Sequence, residues 1–275
     1  MRKISVLLLS LAACSGAPRL PKNASGSPAL TIGGAVKGGP FSLGRTDLEK
    51  LPRRAVRGVD PATGREAMWE GASVDELVSK RVEAQKGADT VLVRTADRAA
   101  IAIPLTLILQ NKAVLADHVD GVRTSSVLAW PTADQRGIET DPRVALWWAH
   151  DVVALELVDS QRTFGPALAT PDGAPEGARR GSTLFGDRCL ACHRMRGVGG
   201  DRGPELTTVA SRMRQGPFSA LLDRHPGWKA ARGDDPGAEG ASDMWAFLHA
   251  VAQAKAHGAS EPVTADSGGQ APESR

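Results

Sequence analysis

The stretch Gly181-Ser182-Thr183-Leu184-Phe185-Gly186-Asp187-Arg188-Cys189-Leu190-Ala191-Cys192-His193 sets the reading of the C-terminal third of the chain. Its last five residues place two thiols three positions apart with an imidazole directly after the second. At that spacing both sulfurs can form thioethers with the vinyl groups of one haem while the histidine meets the iron from one side. With 3 Cys and 6 His in 275 residues, such a pentapeptide arises by chance on the order of 10⁻⁴ per cysteine. A redox-active disulfide and half of a zinc site compete for the same residues. The first wants a βαβ setting that the segment lacks, and the second wants a further cysteine pair that the chain lacks. One covalently attached c-type haem is therefore expected on Cys189, Cys192 and His193.

Around the pentapeptide, residues 178–257 show no strand-like alternation. Gly181 to Arg188 reads as a helix, and Ser242 to Gln253 as another, with Trp245, Leu248 and Ala252 on one stripe and Met244, Phe247 and Val251 beside it. The segment is expected to be small and all-α.

These residues resemble the monohaem class I cytochromes c. Gly181 and Phe185 stand where that family's first helix presents a small residue and an aromatic to its last helix. Trp245 and Phe247 match the aromatic positions of the last helix. The resemblance also covers Gly203-Pro204-Glu205-Leu206. It implies that the Pro204 carbonyl accepts the Nδ1 hydrogen of His193, and that Leu206 packs on the haem. Such a bond orients the ring and makes it a better donor to iron. The chain departs from the family on the other side of the iron, where a methionine from the loop before the last helix is usual. The loop Gly227 to Ala241 has none. Met195 is too close to the proximal histidine, Met213 precedes a helix, and Met244 falls on a core-like face. His225 is the candidate sixth ligand, in which case the reduction potential falls. The competing reading is a surface His225, with the iron five-coordinate or bound by one of these methionines.

The N-terminus Met1-Arg2-Lys3, the apolar run to Ala13 and the small residues before Cys14 have the layout of a secretory signal peptide. Leu11-Ala12-Ala13-Cys14 resembles the lipobox of bacterial lipoproteins, which implies lipidation of Cys14 and a membrane anchor. The mature protein is expected on the periplasmic or cell-surface side of a bacterial membrane. Residues 14–28 read as a tether, 165–177 as a linker rich in Pro and Gly, and 258–275 as a disordered tail.

Residues 29–164 are expected to form an α+β domain with a mixed or antiparallel sheet. Strand-like runs are Ala29 to Val36, Thr90 to Arg94, Ala99 to Ile103, Val127 to Trp130 and Val152 to Val158. Helix-like runs are Thr46 to Leu51, Ser73 to Arg81 with Ser73 as N-cap, and Leu105 to Gln110. The segments Leu30 to Val36, Leu48 to Pro52, Trp69 to Ser73 and Ala99 to Leu105 resemble the molybdopterin-binding domain of the sulfite-oxidase type. That family holds molybdenum through a cysteine thiolate, and no cysteine lies between 15 and 188. The resemblance thus implies the fold, while the residues argue against a molybdopterin centre. His118, His150 and the pair Trp147-Trp148 read as structural.

A net charge of +3, from 34 Lys plus Arg against 31 Asp plus Glu with no basic block, argues against a nucleic-acid partner. Three functions stay open: an electron carrier serving a redox partner protein, a haem subunit of a redox enzyme whose N-terminal domain binds a pterin or small oxyanion, and a haem-based gas sensor.

Overall fold

The computed structural model describes residues 29–256 apart from 136–137, 139–143, 226–227 and 229–234. The signal, lipidation and tail expectations at residues 1–28 and 258–275 lie outside the described residues, as does His257. An α+β part and a helical part share one five-stranded sheet.

That sheet runs in the order β2-β1-β9-β5-β6. It is built from β1 (Leu30–Gly34), β2 (Phe41–Leu43), β5 (Thr90–Thr95), β6 (Ala100–Pro104) and β9 (Val152–Val158). β1 and β9 are parallel and the remaining pairs antiparallel, so the sheet is mixed. Side chains alternate across a strand with period two, and both faces are used. Val91, Val93, Ile103, Leu155 and Leu157 point into the core of the α+β part. Leu92, Ala100, Ala102 and Val158 point the other way, into the core of the helical part. Burial on both sides explains why Val91 to Val93 is apolar without a break.

A second sheet, antiparallel in the order β3-β4-β7-β8, packs on the first core. Its strands are β3 (Arg53–Val59), β4 (Glu66–Ser73), β7 (Val114–Val119) and β8 (Val122–Ala129). Sequence reasoning missed β2, β3, β4 and β7; Gly58 in β3 and Gly71 in β4 look like strand breakers. A Cβ on Gly58 would overlap the Trp130 carbonyl and stand 2.9 Å from the Trp148 ring. On Gly71 it would overlap the Leu115 carbonyl. Both glycines mark close approaches within the sheet, not its ends. Trp147 and Trp148 are buried in this core, with Trp69 edge-on to Trp148 at 5.5 Å.

Short helices α1 (Arg45–Glu49), α2 (Val74–Glu76), α3 (Leu105–Asn111) and α4 (Val144–Trp147) connect the strands. The expected helix Ser73 to Arg81 is α2 followed by one π-helical turn, Leu77–Arg81, and the Ser73 side chain makes no capping bond.

The helical part holds α5 (Ser160–Leu168), α6 (Glu176–Arg188), α7 (Gln215–Leu222) and α8 (Gly237–Ala256). α5 is capped by the Asp159 carboxylate, which accepts from Arg162 N at 2.9 Å. It runs four residues into the stretch expected to be irregular from Gly165, with Pro166 inside it. The segment is helical but not free of strands: β10 (Arg194–Met195) and β11 (Val198–Gly199) form a tight hairpin. Its turn, Arg196-Gly197, lies at φ 50 and 78°, a conformation local propensity does not announce at arginine.

α6 and α8 cross at Gly181, where a Cβ would overlap the Asp243 carbonyl. One turn on, the rings of Phe185 and Phe247 meet at 5.7 Å with planes tilted by 58°, both fully buried. Burying each ring contributes roughly 1.5–3 kcal/mol. Arg180 clamps the same crossing through Asp243 at 2.7 and 2.8 Å. Among the described residues, no helix is long and apolar enough to cross a membrane.

Candidate functional site

α6 delivers the pentapeptide. Its last turn continues through Cys189, whose N–H donates to Phe185 O at 2.9 Å, and His193 N closes on Cys189 O at 2.8 Å. Cys192 N likewise closes on Cys189 O at 3.0 Å, so both cysteines and His193 share one tight loop. Burial, with Cys192 beside it, pushes the Cys189 thiol up to about 12. A dithiol built for disulfide exchange has its thiolate stabilised instead. The pair therefore lacks the activated thiolate of a redox-cycling dithiol. Both cysteines are free thiols here.

His193 is held by its second nitrogen: Nδ1 donates to the Pro204 carbonyl at 2.8 Å. That fixes the tautomer and leaves Nε2 as the lone-pair donor. Gly203 lies flat against the ring; a Cβ there would sit 2.6 Å from Nδ1 and 2.8 Å from Nε2. The loop is anchored by Gly203 N to Cys192 O at 2.8 Å and Leu206 N to Arg194 O at 2.9 Å, and Leu206 packs against the helical core.

His225 follows the end of α7. Its ring faces that of His193 with centroids 5.7 Å apart and planes at 45°. Two imidazoles binding one metal from opposite sides, with bonds of about 2 Å, have centroids roughly 6 Å apart, close to the spacing of this pair. Burial, then the neighbouring His193, holds His225 below its ordinary value, which favours the neutral ligating form. A cavity of about 620 Å³ opens beside it, walled by Pro217, Ala220, Leu221 and Arg224.

The methionines are placed differently. Met195 and Met244 are fully buried in the helical core, and Met213 packs against it ahead of α7. In the α+β part, His118 Nδ1 pairs with Asp117 at 2.8 Å and His150 Nε2 with Asp60 at 3.4 Å. Among the described residues, no cluster of three or more His, Cys, Asp or Glu side chains suits a metal.

Sequence reasoning passed over Arg202. Its Nη1 lies 3.7 Å from Cys192 Sγ, and it forms an ion pair with Asp97 of the β5–β6 turn. Arg202 had a signal, since it directly precedes Gly203-Pro204. Asp97 had none, being one acidic residue in a surface turn about a hundred positions away.

Taken together, free thiols at haem-attachment spacing, an oriented imidazole and a second imidazole across from it make a donor set that fits a covalently bound haem.

The sequence model of the cytochrome c family matches residues 178–255, which carry a cytochrome c domain. No curated protein matches the chain. Among solved structures, the sulfane dehydrogenase SoxCD from Paracoccus pantotrophus is similar over 52% of this chain and 42% of its own, with 14% identity and a TM-score of 0.37. The chain thus spans less than half the length of that structure.

Proposed function

We propose that this protein is an exported, lipid-anchored monohaem electron carrier with a bis-histidine iron. A cytochrome c domain implies a covalently bound haem, electron transfer and a redox partner. On this reading Cys189 and Cys192 bind the haem, His193 is the proximal ligand, His225 the sixth, and Pro204 and Leu206 support the proximal side.

The observation that carries it is the facing pair His193 and His225 at 5.7 Å. Haem iron cycles between two oxidation states and so carries one electron at a time. The residues' part is positional. Pro204 keeps Nδ1 of His193 engaged, so Nε2 keeps its lone pair. His225 closes the other side and excludes water and small gases from it. Pro217, Ala220 and Leu221 present apolar surface next to that site, and Leu221 is 46% exposed, as suits brief docking of a partner protein.

The organisation we assign is a signal peptide at 1–13, a tether from lipidated Cys14 to 28, an α+β domain at 29–164, a connection at 165–177, a cytochrome domain at 178–257 and a tail at 258–275. The lipid anchor is supported by Leu11-Ala12-Ala13-Cys14. The absence of cysteine between 15 and 188 supports a docking and positioning role for the α+β domain over a catalytic one.

The test is a pyridine-haemochrome and absorption measurement on protein matured by a c-type haem system. A spectrum of one thioether-linked haem with low-spin, methionine-free ligation is expected. A protein lacking covalent haem defeats the reading, and the long-wavelength band of methionine-ligated ferric haem removes His225 from the iron.

A further inference from the structure

The α+β part grips the cysteine loop directly. β6 is the edge of its sheet, with backbone groups open to pairing. Ala100 N donates to the carbonyl of Ala191, between the two cysteines, at 2.8 Å, and Asp201 N donates to Arg98 O at 2.8 Å. Arg98 also pairs with Asp201 at 3.4 Å, and it holds the left-handed conformation at φ 70°. A non-glycine residue keeps that conformation only when its surroundings hold it there. Asp97 is set by its own turn: Thr95 Oγ1 donates to it at 2.5 Å, and Ala99 N lies 3.4 Å from it. From this place its carboxylate pairs with Arg202, whose guanidinium rests on Cys192 Sγ.

We infer that Asp97 is a positioning residue supplied to the cytochrome domain by the α+β domain: it neutralises Arg202 beside Cys192 and thereby sets the reduction potential of the haem. The inference rests on haem attachment at Cys189 and Cys192. A cation against the thioether sulfur favours the reduced, less positive iron; an anion paired with that cation cancels the effect. Both partners are about half exposed, at 51 and 52%, so solvent weakens the coupling without abolishing it. The α+β domain, which has no cysteine to hold molybdenum, then has a definite electrochemical role.

The experiment is a double-variant cycle on the full-length, haem-loaded protein, read by equilibrium redox titration. Asp97→Asn leaves Arg202 uncompensated and raises the potential. The reduced-to-oxidised ratio at fixed potential increases about three- to tenfold, roughly 28 to 59 mV for a one-electron couple. Arg202→Gln leaves Asp97 uncompensated and lowers the potential by a comparable factor. The double variant returns to within about twofold of the parent, and Asp97→Glu, which keeps the charge, stays near the parent even if the turn loosens. Singles that leave the potential unmoved, or that move it in the same direction, overturn the inference. Parent protein without covalent haem fails the haem assignment instead, so the two failures are separable.

Discussion

The imidazole of His225 stands across from that of His193, ring centre to ring centre 5.7 Å, although 32 positions separate them in the chain. The first comes from the cysteine loop at the end of α6 and the second from the residues after α7. Their approach brings a second imidazole beside the proposed proximal ligand.

Replacing His225 tests that approach. His225→Ala should open the sixth position, convert the ferric spectrum from low spin to high spin, and let the reduced protein bind carbon monoxide. His225→Met should raise the potential, since a thioether ligand favours reduced iron. A His225→Ala protein with an unchanged spectrum would place the sixth ligand elsewhere.

Gly203→Ala should disturb the other side of the iron. The new methyl would lie 2.6 Å from His193 Nδ1, forcing the ring off the Pro204 carbonyl. Overpacking of this kind costs about 1–3 kcal/mol. Urea unfolding should report that loss, and the absorption spectrum should show altered ligation in the same variant. A protein with normal spectrum and stability would mean that the loop yields freely.

Arg196 ties the β10–β11 turn to the end of α5. Its Nη1 donates to the carbonyls of Pro166 at 2.8 Å and Ala169 at 2.9 Å, serving acceptors that a helix end leaves without partners. Arg196→Ala should cost roughly 2 kcal/mol in thermal or denaturant unfolding. Arg196→Gly should cost less than the alanine variant by about 1 kcal/mol, because φ is 50° there and glycine adopts it without a Cβ penalty. Equal losses would assign the whole effect to the hydrogen bonds.

Asp117 should make the α+β part acid-sensitive. Burial alone would raise its carboxyl, but bonds from Arg53 and His118 and their charges outweigh burial and hold it below the ordinary 3.8. A carboxyl depressed in the folded state contributes stability that is complete above the unfolded value and is lost as pH falls through the folded one. Stability should therefore decline below about pH 4. Asp117→Asn should lower stability at neutral pH by roughly 1 kcal/mol and flatten that decline. An acid limb as steep as the parent's would assign it to other carboxylates.

Much of the helical part was legible because its signals are local. Two cysteines and a histidine within five residues can be read without knowing the fold, and Gly203-Pro204 follows ten positions later. Phe247 was readable through helical period, and Gly181 and Phe185 through resemblance to the cytochrome family. The strands β3 and β4 were less so, since Gly58 and Gly71 serve carbonyls brought close by distant parts of the chain. Residues 165–168, rich in Gly and Pro, joined α5 because packing against the shared sheet and the cap at Asp159 outweigh weak local propensity.

The sequence by itself determined the chemistry of attachment: which thiols and which imidazole stand together is set by covalent spacing along a few residues, whatever surrounds them. Only the tertiary structure decided what faces them. His225 was a candidate from the sequence, but its approach to His193, like that of Asp97 to Arg202, runs through chain reversals of tens of residues or more. The Asp97–Arg202 pairing is settled by how the two cores pack on opposite faces of one sheet, and the His193–His225 pairing by how the helices pack within one core, because burying those faces fixes where each loop emerges.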